Sequence, residues 1–238
     1  MVPRGNGELI MSTTGTARWI RVGLWALPVY GALTAWATID PQPDQTTDPQ
    51  GWARFVSTSS YLVSHLLGGT GGTVLAIFGT IALGTYLAGG RSATLGVTAM
   101  VITVAGHALL LVPAAISTFA TPAIGKAYLA GRTDVMQIEF SGAMTATFMV
   151  GLLLALVGNV LLGVAMWRSG LLPRWVGIVW ATSAVVFYLL GVVLGQATTG
   201  ASLLTQPLGA LLIVISGGWT AWTAMRRPAE AREPSAAI

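Results

Sequence analysis

The chain has 238 residues, of which 54% are hydrophobic and only 8% charged, against a usual charged share of about 25%. Twelve basic and eight acidic side chains are too few to coat a soluble domain of this size, so a soluble globular fold is excluded. The absence of cysteine and of a strict glycine period excludes disulfide-stapled and collagen-like classes, and an all-α polytopic membrane bundle remains.

Residues 1–16 are polar and glycine-rich and are expected to form a disordered tail, with Met11 available as a second start. A single transmembrane domain is expected over 17–227, followed by a disordered tail at 228–238. Six stretches are long and apolar enough to cross about 30 Å of hydrocarbon as helices: 19–39, 58–86, 94–118, 143–167, 175–196 and 204–225. Uniformly apolar runs such as Gly151 to Met166 lack the short alternating segments of a β-barrel. The first stretch has a second reading. Arg18 and Arg21, an apolar run and then Ala35-Trp36-Ala37 also fit a signal peptide, although the run is long for one.

Charge sets the expected orientation. With the N terminus inside, Arg4, Arg18, Arg21, Arg91, Arg168, Arg174, Arg226, Arg227 and Arg232 share one side, and Arg54, Lys126 and Arg132 the other. Positive charge marks the cytoplasmic face, so both termini are expected there. Trp36 and Trp52 at the outer boundary, and Trp19, Trp167, Trp175 and Trp222 at the inner one, form an aromatic belt. The basic balance therefore reports topology, not nucleic-acid binding.

The second span carries Gly68-Gly69-Thr70-Gly71-Gly72. Four glycines in five residues cost a helix about 1 kcal/mol each relative to alanine. Either the helix breaks here and bares its backbone to a cavity, as in discontinuous transporter helices, or another helix packs closely against it. Close packing is the favoured reading. In the third span Pro113 is expected to introduce a kink by freeing the carbonyl of Leu109.

A shift of 79 residues lays Gly72 to Gly84 over Gly151 to Gly163 with six of thirteen positions identical, and sets Thr80 against Asn159. A shift of 81 lays Gly96 over Gly177 and His107 over Tyr188. This pattern points to a helical hairpin (second and third helices, then fourth and fifth) repeated about an axis along the membrane normal. Gly72 with Gly79, and Gly151 with Gly158, each share a helix face and read as packing positions.

His65 and His107, the only histidines, both fall within spans, at depths differing by about 6 Å at 1.5 Å per residue. Each is most simply a neutral ring bonded to a neighbouring helix. Intramembrane ionisable groups are nevertheless candidate functional sites. With Thr70, Thr80 and Asn159 they make the candidate polar site. Two histidines could hold a haem b axially, but they are too few for a zinc centre, and no cofactor is the favoured expectation. Neither a metalloprotease helix motif nor a serine elbow occurs, and the glycine run lacks the lysine of a phosphate loop.

Between membrane spans, residues 40–57 read as an acidic loop followed by an interfacial segment around Trp52 to Val56. Residues 119–140, the longest outer connection, have length enough for a short surface helix or a lid, with Glu139 at the mouth of the fourth span. Trp167-Arg-Ser-Gly-Leu-Leu-Pro-Arg-Trp-Val-Gly resembles the fourth-to-fifth-helix loop of uncharacterised bacterial multi-helix membrane proteins. The resemblance implies a bacterial inner-membrane setting and supplies no catalytic residues. The resulting expectation is a non-enzymatic protein in the lipid bilayer. It would be either permease-like for a small solute or an accessory subunit of a membrane complex, with a second copy or another membrane protein as partner. A haem-binding redox protein is the alternative.

Overall fold

An apolar segment that leaves water must satisfy its backbone donors and acceptors internally, and helices do so within one segment. In the computed structural model, which describes residues 15, 18–138, 141–199 and 202–226, seven helices and no strand are found among the described residues. They are α1 (Ala26–Ala37), α2 (Pro49–Val56), α3 (Ser59–Leu87), α4 (Ala93–Leu129), α5 (Gly142–Arg168), α6 (Arg174–Thr198) and α7 (Thr205–Arg226). Helices α3 to α7 are each long and apolar enough to cross a membrane. The tails, Glu139, Arg4, Arg227 and Arg232 lie outside the described residues.

The first expected span is not one uninterrupted helix. Residues 18–23 are helical, Leu24 and Trp25 form a turn, and α1 follows for 12 residues. Pro28 supplies the reason: it has no N–H to give the carbonyl of Leu24, and its ring crowds that carbonyl. Helix α4 departs in the other direction, running to Leu129 where a span ending at 118 was expected. It passes Pro113, widens into a π-helical stretch at Ile116–Ala120, and resumes as α-helix over Thr121–Leu129. The expected surface helix of the long connection is thus the continuation of α4, followed by a 3₁₀ turn at Thr133–Gln137.

Local chemistry sets several boundaries. Asp48 caps α2 by accepting from Gly51 N at 2.8 Å, with Pro49 in the first turn, and Thr58 caps α3 through Tyr61 N at 3.1 Å. Gly170, at φ +69°, allows the reversal between α5 and α6. There Arg91 N donates to Ser169 O at 3.1 Å and Ser92 Oγ to Ala165 O at 2.7 Å, which joins two neighbouring loops.

The long helices and α1 close into a ring in the order α1, α3, α4, α5, α6, α7 and back to α1, while α2 packs on the last turns of α4. One end of the ring, called here the arginine end, carries Arg91, Arg168 and Arg174; the other, the loop end, carries residues 40–57 and 130–138. The arginine half is solidly packed around Leu24, Leu27, Leu83, Leu87, Leu162, Met166 and Trp180. Polarity is reversed relative to a soluble protein: Phe78 and Leu153 are each 60% exposed on the periphery, whereas Thr80, Thr103, Asn159, Ser183, Ser216 and Thr220 are buried inside. Such a distribution suits a periphery solvated by lipid.

Candidate functional site

Three helices change pitch in the loop half of the ring. Helix α3 is π-helical over His65–Gly71, α4 over Ile116–Ala120, and α6 over Val185–Val193. Such stretches loosen the backbone ladder and recur at functional sites. The first two are tied together: Thr118 Oγ1 lies 3.1 Å from His65 O and 3.0 Å from Thr70 Oγ1, and also reaches Ala114 O at 2.8 Å. Thr70 therefore holds two helices together and does not line the space between them.

The glycine run neither breaks α3 nor serves packing alone. A Cβ on Gly68 would collide with Ala37 and the Leu33 carbonyl of α1, and one on Gly72 would press on Thr34 Oγ1 at 3.2 Å. Gly71 faces a carbonyl of its own helix, Leu66 O. Gly69 meets nothing within 4 Å and borders open space. One face of the run admits a neighbour and the other helps to form a chamber.

That chamber has a volume of about 220 Å³ and is bordered by α1, α3, α4, α6 and the start of α7. Tyr30, Thr34, Thr73, His107, Ser117 and Tyr188 supply its polar groups. A vestibule of about 370 Å³ adjoins it toward the loop end, bordered by Trp36, Asp40, Phe55, Tyr61 and Gln196 among others. Ala37, Thr38, His65 and Gln206 border both spaces, so chamber and vestibule adjoin across these four residues. Among the described residues Asp40 is the only carboxylate that lines either space, and no lysine or arginine does.

Both histidines belong to this cavity, each with its own partners. His65 Nδ1 is 3.0 Å from Tyr61 O, and its ring stacks on the Tyr61 ring at 3.7 Å between centroids. A proton on Nδ1, donated to that carbonyl, leaves Nε2 as the acceptor. His107 is only 3% exposed; its Nε2 is 2.9 Å from the Tyr188 hydroxyl. Its Nδ1 makes no hydrogen bond of good geometry, and the carbonyl of Thr103, one turn earlier, is the backbone group that interacts with the ring. Tyr30 meets His107 edge-on at 6.1 Å, and its side chain borders the same space as Tyr188. Tyr30, Tyr188 and His107 thus form a buried polar floor above the packed arginine half. Haem ligation through His107 Nε2 would require displacing Tyr188.

Of the remaining candidates, Thr80 and Asn159 are buried away from the cavity, and the Asn159 amide donates to Ala155 O of its own helix at 2.8 Å. A Cβ on Gly79 would meet Leu27, on Gly151 Leu109, and on Gly158 Thr103, so each of the three stands at a close helix–helix approach. Glu139 lies outside the described residues. Among the described residues no group of three or more His, Cys, Asp or Glu side chains is placed to hold a metal ion.

Sequence reasoning missed Tyr30, Thr34, Thr38, Tyr188 and Gln206. Only Tyr188 had a signal, since the 81-residue shift set it over His107, and the two side chains meet. The acidic loop is ordered by Asp44, whose Oδ1 accepts from Thr47 N at 2.7 Å and Thr46 N at 2.9 Å. The Thr47 amide holds this carboxyl below its ordinary range. No protein family, curated protein or solved structure matches the chain.

Proposed function

We propose that the chain is a six-span, permease-like protein of a bacterial inner membrane that takes a small polar solute into this cavity from the loop end. In this reading α1 with its preceding turn completes the six spans, and the arginine end faces the cytoplasm under the positive-inside rule. The observation that carries the proposal is the pair of adjoining spaces, vestibule and chamber. Together they reach from the loop end to the Tyr30–Tyr188–His107 floor and are lined by hydroxyls, amides and both imidazoles. A polar site buried among spans is costly unless it serves a solute or ion, and a cavity closed on one side matches one stage of alternating access.

Equivalent packing in two hairpins supports a parallel repeat. Gly84 of α3 abuts Met100 of α4, and Gly163 of α5 abuts Ala181 of α6, pairs related by the shifts of 79 and 81. Gly96 packs back on Leu87 as Gly177 packs back on Trp167. Parallel repeats of this kind occur in transporters that rock one half against the other.

The chain has no native cysteine, so single substitutions report accessibility cleanly. In membrane vesicles exposing the loop end, Thr38→Cys and Gly69→Cys are expected to react with a membrane-impermeant thiol reagent. Protection of both positions in folded protein would overturn the cavity reading.

A further inference from the structure

The two parts of the cavity differ in chemistry. Among the described residues the inner chamber offers hydroxyls, imidazole, the Gln206 amide and backbone but no carboxylate, so a full charge entering it would lose its hydration with no opposite charge from these residues to meet. The vestibule places Asp40 with the aromatic side chains of Trp36, Phe55 and Tyr61. Phe55 and Tyr61 stand edge to face at 5.7 Å and 75°, and Tyr61 stacks on His65. The bases of this end, Arg54, Lys126 and Arg132, do not line it. A carboxylate and aromatic side chains lining one space, with no lysine or arginine among its described lining residues, is the combination that attracts an ammonium group: the ring quadrupole and the carboxylate act in the same direction. Asp44 and Asp48, on the segment after Asp40, add to the negative field at the mouth.

We infer that the vestibule recognises a small organic cation, with its ammonium group held between Asp40 and the Trp36, Phe55 and Tyr61 rings. The uncharged part of the solute then extends past Thr38, His65 and Gln206 toward the hydroxyls of the inner chamber. This inference rests on the proposed cavity function and specifies its ligand class. It also explains why the one carboxylate stands at the entrance: selection by charge occurs where water still solvates the ion, and selection by shape and hydrogen bonding occurs deeper.

Tetramethylammonium is a suitable probe, because it carries the charge with no hydrogen-bond donor. Gly69→Cys, whose added side chain enters open space, reports passage beyond the vestibule. Protein in lipid nanodiscs is treated with the small neutral reagent methyl methanethiosulfonate at fixed ionic strength, and modification is followed by mass spectrometry. Millimolar tetramethylammonium is expected to slow modification, and Asp40→Asn to raise the concentration required by about tenfold. Tert-butanol and acetate are expected to protect neither protein. Thr38→Cys serves as a second reporter at the junction of the two spaces. Equal protection by tert-butanol, or protection unchanged in Asp40→Asn, would overturn the cation inference and leave the cavity standing. A Gly69→Cys thiol that the neutral reagent cannot reach would instead remove the cavity reading itself.

Discussion

At the residue scale, the floor of the cavity depends on the Tyr188 hydroxyl, which is the partner of His107 Nε2 at 2.9 Å. Tyr188→Phe leaves a buried imidazole nitrogen without its partner, a loss of about 1–3 kcal/mol. Thermal unfolding in mild detergent should show this as a lowered midpoint. Tyr30→Phe should cost less, because it leaves the Tyr188 bond to His107 in place; equal losses would argue against that bond as the main tie of the floor. Outside the spans, Asp44 gives a pH dependence of defined sign. Hydrogen bonding to Thr47 and Thr46 depresses its folded-state pKa, so its contribution is present above the ordinary aspartate value of about 3.9 and is lost as pH falls through the lower folded value. A carboxyl-carbon NMR titration should place the Asp44 midpoint below the ordinary aspartate value of about 3.9, and Asp44→Asn should loosen the loop at neutral pH. The histidines were legible in the sequence because ionisable groups within spans are rare. Their partners were not: tyrosine and threonine are ordinary membrane residues, and only their packing onto one chamber distinguishes them.

At the element scale, the glycines separate by what a methyl group would meet. On Gly158 it would press into Thr103, including its backbone nitrogen, where neither helix can yield, whereas on Gly69 it meets nothing. Gly158→Ala should therefore destabilise the protein by about 1–3 kcal/mol through overpacking, and Gly69→Ala should be nearly neutral or slightly stabilising. Chemical or thermal unfolding of the pair checks this, and similar losses at both positions would contradict the assigned contacts. The sequence marked the glycine run of α3 but posed break and packing as alternatives. The π-helical turn reconciles them, because it keeps the helix continuous while Gly68 packs and Gly69 opens. Periodicity alone cannot reveal a π stretch, since one added residue in a uniformly apolar run leaves no mark on the pattern. Pro28 was the opposite case, a visible residue whose effect on the first span was overlooked. Thr118 is the tie between two of these stretches, and Thr118→Val should raise backbone hydrogen exchange around His65 and Thr70 while leaving the arginine half protected.

At the scale of the whole molecule, composition and charge sufficed for the all-helical class and for five of the six expected spans. They reflect a simple requirement, that lipid-facing surfaces be apolar and backbone groups be paired within each helix. The ring order and the cavity lay beyond them, because helix neighbours are chosen by small-residue contacts that many sequences could make. The account's central claim is a polar cavity entered from the loop end and sealed at the other. Cysteine labelling from each side of the membrane tests it most directly. Gly69→Cys in the chamber is compared with Ala99→Cys in the packed arginine half, in right-side-out and inverted vesicles. The account predicts modification of Gly69→Cys by an impermeant reagent from the loop side alone, with Ala99→Cys unreactive from either. Labelling of Gly69→Cys from the arginine side alone, or of Ala99→Cys as readily as Gly69→Cys, would contradict it.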